Sequence, residues 1–112
     1  MNYYTLDKDD DIIIDNVINS IIEEICNKKE IYFQIKIMKL SNDIDNKVKN
    51  QFNSFYKLNL IQKMIGTKFD KFIKKHLEFI INNIFIALRK KYIINVIDNT
   101  VHFEKNVELL NY

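Results

Sequence analysis

Proline is absent from this chain of 112 residues, and glycine occurs once, at Gly66. With so few turn formers, a meander of short strands is disfavoured and long helices are favoured. Cys26 is the single cysteine, which excludes an internal disulfide framework and fits a reducing compartment. No stretch is apolar over the roughly eighteen residues that a membrane-spanning helix needs. The amino end, MNYYTLDKDDD, is polar and acidic and does not read as a signal peptide. Arginine occurs once, at Arg89, and the formal net charge of +2 is too small to demand a nucleic-acid partner.

Apolar residues make up 47% of the chain, which argues against wholesale disorder. The length suffices for one domain with one core. The abundance of Ile, Asn and Lys suggests an AT-rich coding sequence, so the strand preference of Ile carries little weight here. Charge is unevenly laid out. Asp7, Asp9, Asp10, Asp11, Asp15, Glu23, Glu24 and Glu30 make the start acidic, whereas residues 47–91 are basic. That asymmetry suggests an acidic arm, residues 1–11, and a basic body.

The stretch from Gly66 to Tyr92 dominates the pattern. Phe69, Phe72, Ile73, Leu77, Ile80, Ile81, Ile84, Phe85 and Leu88 recur at the spacing of one helical face. Gly66 reads as a break, and Thr67 with Asp70 as a capping box. Arg89, Lys90 and Lys91 suit the negative end of a helix dipole. The spacing predicts a helix over residues 68–91, about 36 Å long. From Phe79 to Leu88 only Asn82 and Asn83 are polar. A helix apolar nearly all round is buried on nearly all sides. It is either the central helix of a small bundle or a spine shared with a second chain.

Before it, Ile14, Val17, Ile18, Ile21, Ile22 and Ile25 predict a helix capped by Asp11 and ended near Asn27. Residues 31–40 are ambiguous. Ile31, Phe33, Ile35 and Ile37 alternate like a strand, whereas Ile37, Leu40, Ile44 and Val48 follow a helical period. Lacking an obvious partner strand, the segment is read as helix. Residues 41–53 read as a linker or a weakly held helix, and residues 54–65 as a short amphipathic helix. Two short alternating runs flank Asp98-Asn99. A closing helix presents Val107 and Leu110.

Catalytic chemistry finds little material. Cys26, His76 and His102 match no zinc spacing. His76 falls on the apolar face, where a core histidine is the ordinary reading. Gly66-Thr67-Lys68 lacks the upstream glycine and strand of a phosphate loop. Glu23 and Glu24 lie on an outward face, and no serine sits in a nucleophile elbow. No catalytic, cofactor-binding or metal-binding residue is assigned, and the chain is not expected to be an enzyme.

Short helix, loop, long helix, loop with extended residues, short helix is the layout of the histone fold. From about Leu40 to Leu110 the chain resembles the histone-fold subunit of TFIID known as TBP-associated factor eleven. LSND and IDNKVKNQFNSFYK resemble that family's stretch ahead of its first histone helix, with Tyr56 where the family has proline. LIQKM resembles its first helix, EFIINNIFIAL the second half of its central helix, and VHFEKNVELL its closing loop and helix.

The resemblance implies an all-α histone fold over residues 51–112, with an N-terminal helical extension over residues 12–50. It implies a non-catalytic nuclear subunit of the transcription initiation machinery. The implied partner is a histone-fold protein like TBP-associated factor thirteen, with TBP and promoter DNA nearby. On that reading Phe69, Phe72, Ile73, Leu77, Phe79, Ile80, Ile84 and Leu88 form the dimer interface. Lys71, Lys74, Lys75, Arg89, Lys90 and Lys91 form an accessory phosphate-facing patch.

Three other readings stay open. DNA-wrapping histone-fold proteins grip phosphates with arginines, and this chain has only Arg89. The small subunit of TFIIA is similar at YYTL, at EFIINNIFI as a hairpin and at KKYIINVID as a strand, but lacks here its tryptophan-containing motif. A self-contained helical bundle, such as a viral or bacterial interaction protein, is the third.

Overall fold

The computed structural model describes residues 8–56 and 62–106. The elements run α1 (Lys8–Cys26), β1 (Tyr32–Lys36), α2 (Ile37–Tyr56), α3 (Gln62–Leu88), β2 (Tyr92–Ile97) and β3 (Thr100–Lys105). The strands form one antiparallel sheet in the order β1-β3-β2. This overturns the all-α histone fold. The protein is mixed α/β, and the long helix is followed by a hairpin where that fold requires a loop and a short helix.

The missed strand, β1, sits in the ambiguous stretch, where both patterns are real and follow one another. Alternation governs Tyr32–Lys36, and from Ile37 the helical period takes over, burying Leu40, Ile44, Val48 and Phe52. The partner strand lies at the far end of the chain. Phe33 pairs with Phe103 and Ile35 with Val101. A pairing partner so remote is invisible to local periodicity.

Asp98 and Asn99 both adopt positive φ, 51° and 59°. Two such residues joining antiparallel strands make a type I′ turn, whose twist matches that of the strands. Asn and Asp tolerate this region because their short polar side chains bond locally. The Ile37 N–H donates to the Asn99 carbonyl at 2.9 Å, tying the start of α2 to the turn. Asn99→Val should therefore lower stability by about 1–2 kcal/mol. Asn99→Gly should stay within about 0.5 kcal/mol of the parent. Urea denaturation of the two variants side by side measures both.

α3 is longer than the expected helix over residues 68–91 and begins earlier. It runs through Gly66, so that residue does not break the chain, and Thr67 lies inside the helix rather than at its cap. A glycine in a helix interior costs about 1 kcal/mol relative to alanine, too little to stop a helix of 27 residues. The carboxyl end is nearer the expectation: the helix stops at Leu88, and Arg89–Lys91 form the turn into β2.

The boundary drawn at residues 50 and 51 falls inside α2, and the expected helical extension over residues 12–50 contains strand β1. Part of the acidic arm, from Lys8, belongs to α1. Of the short helix expected over residues 54–65, residues 54–56 belong to α2 and residues 62–65 to α3. Residues 57–61, the rest of the arm and the closing helix with Val107 and Leu110 lie outside the described residues.

One apolar core joins all six elements. Ile13, Ile14, Val17, Ile21 and Ile25 come from α1, and Ile80, Ile84 and Leu88 from α3. Tyr92, Val101 and Phe103 come from the hairpin. The chain therefore covers the inner face of its own long helix. Within Phe79–Leu88, Ile80, Ile84 and Leu88 are covered by α1 and the sheet, which the histone-fold reading had left out, whereas Ile81 and Phe85 stay partly buried and Ile86 is exposed.

Candidate interaction groove between α2 and α3

α1 packs against both α2 and α3, whereas α2 and α3 touch each other sparsely. Two neighbouring stripes follow from the i, i+4 spacing of α3. Phe72, His76, Ile80, Ile84 and Leu88 are buried in the core. Phe69, Ile73, Leu77, Ile81 and Phe85, the adjacent stripe, are only partly buried against it. Together with α2 this second stripe lines two depressions.

The first, about 610 Å³, lies where Phe69, Ile73 and Leu77 face Asp45, Asn46 and Lys49 of α2. The second, about 260 Å³, lies where Ile81 and Phe85 face Ile37, Leu40 and Ile44, with Val96 and Val101 of the hairpin closing it. The wide depression is charged at its rim, carrying Asp45, Lys49, Asp70, Lys71 and Lys74. The narrow one is almost wholly apolar, Ser41 being its one polar lining residue. Beyond the wide end, Phe52 meets the rings of Phe69 and Phe72 at 5.5 and 5.4 Å between centroids. From Phe69 to Phe85 the stripe is about 24 Å long.

The residues singled out in the sequence thus divide. Phe72, Ile80, Ile84 and Leu88, expected at a dimer interface, are buried within the chain itself. Phe69, Ile73 and Leu77 line the groove. Phe79 is partly buried beside the core, its carbonyl accepting a hydrogen bond from the Asn83 side chain at 2.8 Å.

The six basic residues do not form one patch. Lys71 and Lys74 stand at the groove rim among Asp45 and Asp70, and Lys75 is exposed nearby. Arg89, Lys90 and Lys91 are exposed beyond the other end of α3, about 21 Å along the axis from Lys75 to Arg89. The Arg89 guanidinium lies over the Phe85 ring, 5.8 Å from its centroid.

Ile81, Phe85, Ile37 and Val96 were missed as site residues. The signal was present for α3, because Phe69, Ile73, Leu77, Ile81 and Phe85 form an unbroken i, i+4 series. The expected interface mixed residues of both stripes and left out Ile81 and Phe85, which concealed the division between them.

The soft and imidazole side chains occupy separate surroundings. His76 has no exposed surface; its Nε2 lies 3.0 Å from Asp10 Oδ2, and its ring meets Phe72 edge-on at 4.8 Å. A ring so enclosed cannot reach a substrate, and its bond ties α1 to α3. Asp10 lies near the amino end of α1, where the helix dipole favours a negative charge. Asp10→Ala should therefore cost about 1–3 kcal/mol, chiefly by removing a partner of a buried imidazole. Asp10→Asn should recover part of that loss, and chemical denaturation of both variants is the check.

His102 is bonded through Nδ1 to the Tyr32 hydroxyl on the outer face of the sheet. Cys26 ends α1 beside Tyr92. Burial, and then the Cys26 thiol, push the Tyr92 hydroxyl above its ordinary range, so it remains a donor, reaching the Ile25 carbonyl at 3.4 Å. Among the described residues no group of three or more His, Cys, Asp or Glu is placed to hold a metal ion. No helix among them is long and apolar enough to cross a membrane.

What the site offers is therefore a groove whose α3 wall is apolar throughout, whose α2 wall is polar at the wide end and apolar at the narrow end, and whose wide end carries a rim of both charges. No known family model, curated protein or solved structure matches the chain.

Proposed function

We propose that this protein is a non-catalytic binding subunit that takes an amphipathic helix of another protein into the groove between α2 and α3. The observation that carries the reading is the half-buried stripe Phe69, Ile73, Leu77, Ile81 and Phe85 beside a stripe already buried. A helix laying apolar residues at i, i+3, i+4 and i+7 into such a groove is a recurring mode of recognition. The stripe's length suits about four helical turns. The rim asks for both signs of charge on the flanks of the partner, because Asp45 and Asp70 stand there together with Lys49, Lys71 and Lys74.

A photo-crosslinking side chain placed at Leu77, in the protein's own cell, tests the reading. The crosslinked peptide should come from one protein and carry apolar residues at helical spacing. The same probe at exposed Lys75 should capture far less of it. Equal capture at both sites, or no protein adduct at Leu77, would overturn the proposal.

A second reading keeps the setting in transcription initiation, as a subunit similar to the small subunit of TFIIA. Strand β2 favours it, since KKYIINVID contains Tyr92–Ile97 as that resemblance implies. EFIINNIFI departs from it, being helical rather than a hairpin. A mobility shift decides: this reading requires the chain, with its partner, to retard a complex of TBP and promoter DNA.

A further inference from the structure

β2 leaves one side of its backbone without a partner strand among the described residues, because the sheet order is β1-β3-β2. The phase of that free side is fixed by one bond. The Asn106 N–H donates to the Lys91 carbonyl at 2.9 Å, so Lys91 faces β3. Backbone groups alternate along an antiparallel ladder, so Ile93, Asn95 and Ile97 also face β3. Ile94 and Val96 then direct N–H and C=O outward. The strand, YIINVI, carries no charge and no proline, and Ile93, Val96 and Ile97 are 48%, 58% and 56% exposed. Proteins ordinarily blunt such an edge with lysine, proline or a bulge, and β2 has none of these. β1, the other edge, is shorter and ends in Lys36.

The two ends of β2 differ in sign. Arg89, Lys90 and Lys91 precede it, and Asp98 follows it. We propose that the occupant of this edge is β2 of a second copy of the chain, paired antiparallel about a twofold axis through Asn95. Antiparallel pairing brings the basic turn of each copy beside Asp98 of the other. It makes Ile94 and the second copy's Val96 exchange their outward hydrogen bonds, and it sets Ile93 against the second copy's Ile97 on the outer face. Two three-stranded sheets become one sheet of six, and the twofold operation closes the assembly at a dimer. The groove between α2 and α3 stays with each copy.

Sedimentation velocity of the full chain across the micromolar range gives the first result, a monomer–dimer equilibrium that weakens with salt. Val96→Pro removes an outward N–H without touching the ladder to β3 and should leave only monomer. Should that variant fail to fold, Ile93→Lys, at an exposed position, should have the same effect. Asp98→Asn keeps the turn and should weaken the dimer roughly fivefold while reducing its salt dependence.

Register has its own readout. In a Cys26→Ser background, Asn95→Cys should crosslink to itself on oxidation. A non-hydrogen-bonded pair holds its Cα atoms about 4.5 Å apart, within disulfide reach. Ile93→Cys should not crosslink. A monomer throughout that range, a dimer insensitive to both Val96→Pro and Ile93→Lys, or a dimer in which Asn95→Cys fails to crosslink would each overturn the proposal.

Discussion

Ile80→Asp should unfold the chain on its own, with no partner involved. Ile80 has no exposed surface and lies in the middle of the buried stripe of α3. An unpaired carboxylate there loses its water and gains no cation, a cost well above about 3 kcal/mol, which is a large share of a small domain's stability. Lys74→Asp, at an exposed position on the groove rim, should stay within about 0.5 kcal/mol of the parent. Far-UV circular dichroism with urea titration separates the two. Were Ile80→Asp to fold normally alone and lose only a partner, the shared-spine reading of the long helix would return.

Phe103→Ala should be nearly as damaging, at about 3–5 kcal/mol. Phe103 lies on β3, the central strand, and is fully buried. Its ring stacks on Phe33 of β1 at 4.9 Å and meets Tyr92 of β2 edge-on at 5.9 Å. Truncation opens a void where all three strands and the helical core meet, and neighbours so constrained cannot collapse into it. Glu104→Ala, one residue on and exposed, is the control, expected within about 0.5 kcal/mol. Denaturant midpoints at an unchanged slope would show that stability alone has moved.

The sequence was most legible where structure is local. The periodicity of α1 and α3 is set within each helix, and both helices form with only their ends displaced. The alternating runs on either side of Asp98-Asn99 marked extended chain, and the structure shows that the chain reverses between them. What misled was order without distance. A long helix between shorter elements matches the histone-fold layout by count, yet the match says nothing of β1, whose partner β3 falls in the stretch that the resemblance assigns to a closing loop and helix. Once β1 and the hairpin join, the sheet and α1 supply the cover that a second chain had been invoked to provide. The groove was half legible: its α3 wall is an i, i+4 series, but its α2 wall, Ile37 to Lys49, exists only because Ile37 starts a helix where β1 stops.

The sheet also sets an order of events in folding. β2 and β3 are joined by two residues already suited to their turn, and hairpins of this kind close in about 1–10 μs. β1 must wait for a strand from the other end of the chain, since Tyr32 pairs with Glu104. Closing so long a loop is slow until α2 and α3 have formed and shortened the intervening path. On the ribosome the delay is built in: residues 32–36 emerge early and gain their ladder only after β3 has been synthesised. In that interval the segment has only its local preferences to follow, and those are divided between helix and strand. β1 is therefore the first strand made and the last one paired.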